Sequence, residues 1–241
     1  LRKKSNKTKK PIDLTNSITP DVNTFNFKNR LRPKSNNQKD YIRTVAENTI
    51  TFCQGVAGTG KTHIAIGMAL EYLAEQKIKK IIITRPVIEA GEKIGYLPGT
   101  AEEKIHPYLL PVLDEVNHFI SLSLYNSLKL NNQIEIVPLG LMRGRSFHES
   151  FIVADECQNA TYDQLKMLLT RIGRDSKMVL TGDIRQSDLN RNLQGGFRII
   201  TDILKDANSI GFSYLESSDI VRNPIIADIM SKIENYESKQ T

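Results

Sequence analysis

The stretch Gly55-Val56-Ala57-Gly58-Thr59-Gly60-Lys61-Thr62 constrains this chain more than any other, because it matches GxxxxGK[ST] at every position. Glycines let successive backbone N–H groups curl round an anion, and a helix opening at Lys61 aims the positive end of its dipole at the same point. Lys61 supplies a flexible cation for the β- and γ-phosphates of a nucleotide, and the Thr62 hydroxyl is a ligand for Mg²⁺. The motif needs a strand before it and a helix after it. Here the apolar run at 50–54 reads as that strand, and 61–76 reads as that helix. Ala65, Gly67 and Ala69 on the helix are small enough for close approach to a sheet.

The rest of the chain supplies the sheet. Strand patterns recur at 80–84, 134–138, 151–154, 177–181 and 210–214. Helical patterns fall at 101–108, 112–128, 162–171, 197–206 and 224–236. Such alternation predicts an α/β fold with a mostly parallel sheet and helices on both faces. The expected domain runs over 38–241, behind a basic arm at 1–37 that is rich in Lys, Asn, Ser and Thr and reads as disordered.

Charge is concentrated in that arm, which holds ten of the 33 Lys/Arg residues but two of the 27 Asp/Glu residues. A block of this kind either seeks nucleic-acid phosphates or serves as a solvated tail. No apolar run approaches the roughly 18 residues that a membrane helix needs. The basic start, which opens on Leu1, has no apolar segment behind it, so no signal peptide is expected. Cys53 and Cys157 are too few for a disulfide framework, the four histidines lack metal-ligand spacing, and a reducing cytoplasm is the expected compartment.

About 90 residues after the loop, Phe151-Ile152-Val153-Ala154 runs into Asp155-Glu156. A buried strand that ends in an acid delivers it to the ligand edge of a parallel sheet, beside the loop. Asp155 suits Mg²⁺, and Glu156 suits a general base that polarises an attacking water. That second acid favours nucleotide hydrolysis over a small-molecule kinase. A nucleoside triphosphate and Mg²⁺ are therefore the expected ligands.

Asp155-Glu156-Cys157-Gln158 reads DExQ, and Gly182-Asp183-Ile184-Arg185-Gln186 reads GDxxQ after a strand. In this order they resemble motifs II and III of superfamily 1 helicases. That resemblance implies that Gln186 senses the γ-phosphate and that Gln158 couples the hydrolytic site to moving parts. It also implies that Gln38 reads adenine, with Tyr41 either stacking on the base or filling the core. The ordered set of Gly55–Thr62, Thr84-Arg85-Pro86, the 91–99 string, Met142-Arg143-Gly144-Arg145, 155–159, 169–173 and Val221-Arg222-Asn223-Pro224 resembles the PhoH-like family over about residues 38–236. Membership implies a single RecA-like P-loop domain, ATP hydrolysis and a role in RNA metabolism. The appended nuclease or RNA-binding domains of some members are not expected here.

In the same resemblance, Arg222 reaches the γ-phosphate, while Arg85, Arg143 and Arg145 contact single-stranded RNA or DNA unless they serve surface ion pairs. A second RecA-like wall is not expected after Gln186. The reading therefore calls for a homo-oligomeric ring, a hexamer by resemblance, with Arg171 or Arg174 given in trans. The competing expectation is a nucleotide-dependent switch or scaffold with slow hydrolysis and no motor action.

Overall fold

The computed structural model describes residues 25–87, 101–189, 193–220, 229 and 232. Its strands are β1 (Ile50–Gly55), β2 (Lys80–Arg85), β3 (Ile134–Pro138), β4 (Ser150–Ala154), β5 (Lys177–Gly182) and β6 (Ile210–Leu215). They form one sheet in the order β3-β2-β4-β5-β1-β6, and every pairing is parallel. β5 therefore separates the loop-bearing β1 from the acid-bearing β4, and all three C-terminal ends meet at one edge.

Helical crossovers between parallel strands cover both faces of the sheet, as its continuous apolar runs require. Ile81 and Ile83 join one buried cluster with α2 (Lys61–Ala74), while Ile82 joins another with Leu165, Leu168, Phe197 and Ile200. Those four residues belong to α5 (Tyr162–Leu169) and α6 (Gly196–Leu204). The expected α/β fold is present, with each of the six strands within a residue of its sequence-based bounds.

The helices depart from expectation in physically instructive ways. The break expected between 108 and 112 is absent, and α3 (Ala101–Phe119) runs straight through Pro107 and Pro111. Its Val112, Val116 and Phe119 are fully buried, so tertiary packing outweighs the helix-breaking tendency of proline. The chain instead breaks at Ser121, whose hydroxyl accepts from Leu124 N and starts α4 (Leu122–Leu130). A helix not expected from sequence, α1 (Asn36–Glu47), precedes β1, capped by the Ser35 hydroxyl. Gly67 faces α3 rather than the sheet: a Cβ there would lie 2.9 Å from Phe119 Cζ. The helix expected over 224–236 lies outside the described residues except for positions 229 and 232.

The C-terminal part of the expected disordered arm is an ordered strap. Phe25, Phe27 and Leu31 pack against the core, and Phe27 bridges to Ile120. Lys28 N donates to Phe119 O at 2.7 Å. Polar composition hid three apolar anchors that suffice to hold the segment down. No helix among the described residues is long and apolar enough to cross a membrane.

Candidate functional site

Residues 55–62 form the loop that the sequence predicts, leaving β1 and entering α2. Gly60 takes φ +87°, a left-handed conformation that suits glycine, and α2 has no side-chain cap on its N-terminus. Its first N–H groups therefore point toward the cleft, as an anion site requires. Thr59 is buried, and its hydroxyl donates to Val56 O at 2.8 Å, bracing the turn. Lys61 Nζ lies over the loop, donating to Gly55 O at 2.6 Å and Val56 O at 3.0 Å.

Asp155 follows β4 and is 4% exposed. Its Oδ1 accepts from Thr62 Oγ1 at 2.5 Å and from Thr181 Oγ1 at 2.7 Å, and its N–H donates to Thr84 O at 2.8 Å. Three strands thus fix one carboxylate beside the loop. Glu156 takes φ +54°, a conformation that a non-glycine residue holds at a cost of about 1–3 kcal/mol. Its Oε2 accepts from Gln158 Nε2, and its Oε1 lies 3.7 Å from an Arg85 nitrogen. Gln158 Oε1 in turn accepts from Asp183 N at 3.0 Å. A single amide therefore links Glu156 to the segment after β5.

Gly60, Lys61, Thr62, Arg85, Asp155 and Glu156 share a cleft of about 350 Å³, within the range of small-ligand sites. A bare helix N-terminus, the Lys61 ammonium and the Thr62–Asp155 pair form a donor set that fits a nucleotide with Mg²⁺. Sequence reasoning missed four further contributors. Arg32 and Lys34 of the strap line the cleft, as do His63 and Glu115, which form a 3.0 Å pair between α2 and α3. The signal for His63 was its place directly after Thr62 on the loop's helix. For Arg32 and Lys34 it was their spacing of two residues.

A family model described as PhoH-like protein matches residues 30–234. The chain belongs to the PhoH-like family. It is 38% identical to a PhoH-like protein of Bacillus subtilis over 232 residues, covering 96% of this chain and 72% of that one. It is 44% identical to a PhoH-like protein of Mycobacterium tuberculosis over 207 residues, covering 86% of this chain and 59% of the relative. The chain thus spans about three-fifths of the mycobacterial protein's length. Among solved structures, the large terminase of a thermophilic bacteriophage matches with a TM-score of 0.53 at 10% identity, over 83% of this chain and 50% of that one. That match supports the P-loop, RecA-like fold.

In this PhoH-like chain the remaining candidates divide. Gln38 is 3% exposed, with Nε2 donating to Thr59 O at 3.0 Å and Oε1 accepting from Lys34 N at 2.7 Å. It lines the cleft and braces the loop, with one bond at each end of its amide. Tyr41 is fully buried and belongs to the core. Gln186 is exposed, and the residues lining the cleft do not include it. Arg85 faces Glu156 inside the cleft, not a separate surface. Arg143 is exposed.

Arg145 forms a two-pronged pair with Glu135, at 2.6 and 2.7 Å, and lies over the Phe147 ring, the ion-pair alternative to nucleic-acid contact. Arg171 donates to Met167 O, Arg145 O and Thr170 Oγ1 of its own chain, which ties its guanidinium down, whereas Arg174 is exposed. Arg222 and the 91–99 string lie outside the described residues. Burial pushes the Cys53 thiol up to about 12 and raises Cys157 well above its ordinary value, so neither is a thiolate nucleophile near neutral pH.

Proposed function

We propose that this PhoH-like chain hydrolyses ATP and couples hydrolysis to binding or remodelling single-stranded RNA or DNA. The observation that carries the hydrolytic part is the placement of Glu156 next to an Asp155 already bonded to Thr62. The α2 N-terminus and Lys61 hold the phosphate chain, with Lys61 shifting from the loop carbonyls onto phosphate oxygens. Thr62 and Asp155 would hold Mg²⁺, which when bound would offset phosphate charge. Glu156 accepts a proton as a water oxygen bonds to the γ-phosphorus. The bond from that phosphorus to the bridging oxygen breaks, leaving ADP and inorganic phosphate, and Glu156 returns its proton to solvent.

Coupling runs through Gln158, which touches both Glu156 and Asp183 N. The exposed Arg143 is the remaining surface candidate for phosphate contact, and a homo-oligomeric ring with Arg174 given in trans is the assembly we propose. One observation favours the alternative of a slow nucleotide-dependent switch. Arg85 and Gln158 both engage the Glu156 carboxylate, an arrangement that restrains a base.

Measuring hydrolysis with and without single-stranded RNA and DNA at moderate salt separates the two readings. The coupled reading expects a rise of about tenfold or more, as befits a released base. A rate that no nucleic acid alters would leave the switch reading in its place.

A further inference from the structure

Four basic residues lie on the ordered strap, and they behave differently. Lys28 Nζ donates to Asn117 O at 2.7 Å, and the Arg30 guanidinium lies 4.3 Å over the Phe27 ring. Both are accounted for by the fold. Arg32 and Lys34 form no ion pair among the described residues, and both line the cleft that contains Lys61 and Thr62.

Their placement follows from the backbone. Exposure alternates along residues 31–34, with Leu31 and Pro33 half-buried and Arg32 and Lys34 exposed. In an extended segment, residues two apart share a side, so anchoring Leu31 inward turns both cations toward the cleft. Leu31 is seated against α2, where a Cβ on Gly67 would meet its Cδ1 at 3.0 Å. At the other end Lys34 N donates to Gln38 Oε1, and Gln38 Nε2 donates to Thr59 O. One amide side chain therefore fixes Lys34 to the backbone of the phosphate loop. The strap backbone is held at both ends, so binding has only the two side chains left to order.

We propose that Arg32 and Lys34 are nucleotide ligands that contact the phosphate chain of a nucleoside triphosphate seated on the loop, so that the strap forms a second wall of the site. This rests on the nucleotide-binding reading above. Both side chains carry donors and a full positive charge, and the charge is what matches the anionic oxygens of a phosphate chain. Gln38 then serves as a positioning residue that joins the two walls.

The test is titration of the full chain with a fluorescent ATP analogue and Mg²⁺, comparing the parent, Lys61→Ala, Arg32→Gln, Lys34→Gln and the double variant. Each strap substitution is expected to weaken binding about tenfold, with a smaller loss for the diphosphate and a smaller loss again at high salt. Unfolding temperatures should stay unchanged, because Phe25, Phe27 and Leu31 are untouched. A double variant that binds within twofold of the parent, while Lys61→Ala does not bind, would overturn the strap proposal and leave the nucleotide reading intact. Loss of single-stranded RNA binding with unaltered nucleotide affinity would also overturn it. A parent chain that binds no nucleotide would instead remove the reading on which the proposal stands.

Discussion

The Thr62 hydroxyl donates to Asp155 Oδ1 at 2.5 Å, joining two residues 93 positions apart in sequence. That bond exists because β1 and β4 deliver their C-terminal ends to the same edge, with β5 between them adding the Thr181 hydroxyl to the same oxygen. A metal ion that enters here meets a preformed hydroxyl–carboxylate pair.

Thr62→Val keeps the shape and removes the hydroxyl. It should lower ATP turnover at least about a hundredfold, while Thr62→Ser stays within about fivefold, a contrast expected for a metal ligand. Steady-state rates over a Mg²⁺ titration check this; equal rates for Val and Ser would separate Thr62 from the metal.

Gln158→Leu leaves the buried Asp183 N without its acceptor, since Asp183 is 6% exposed. An unsatisfied buried donor costs about 1–3 kcal/mol, so thermal unfolding should occur several degrees lower. The same change releases Glu156 Oε2, so any nucleic-acid stimulation should shrink along with the stability.

Gly67→Ala puts a methyl group 2.9 Å from Phe119 Cζ and 3.0 Å from Leu31 Cδ1. Overpacking of this kind costs about 1–3 kcal/mol. Denaturant unfolding measures it. Because the same contact seats the strap, nucleotide affinity should fall as well.

Glu135 is held at about 2 by hydrogen bonds from Arg145, opposed by burial and aided by Lys80. A depressed carboxyl pKa stabilises the fold at pH above its unfolded value of about 4.3, and that stabilisation is lost as pH falls toward 2. Glu135→Gln should therefore lose about 1 kcal/mol at neutral pH, an amount that allows for its partial exposure. The gap between parent and variant should begin to narrow near about pH 4 and close as pH approaches about 2. Arg145→Gln should share that loss and leave single-stranded RNA affinity within about twofold, since Glu135 already engages both guanidinium nitrogens.

The strands and the loop were legible because each carries a local signature, either a continuous apolar run or glycine spacing. Asp155 and Glu156 were legible because a buried strand can end in acids at one edge of the sheet. The strap was not, because Phe25, Phe27 and Leu31 are spread through a polar stretch, and their partners on α2 and α3 come from far along the chain. The pairing of Arg145 with Glu135 depends on β3 lying at the sheet edge, which no local pattern reports. Pro107 and Pro111 misled for the opposite reason: a strong local rule gave way to the burial of Val112 and Phe119.

The most direct measurement of the central claim is ATP turnover by Glu156→Gln alongside its affinity for ATP·Mg²⁺. The account predicts binding within about threefold of the parent and turnover lower by at least a hundredfold, since the amide cannot accept the water's proton. Turnover at the parental rate would contradict the assignment of Glu156 as the base.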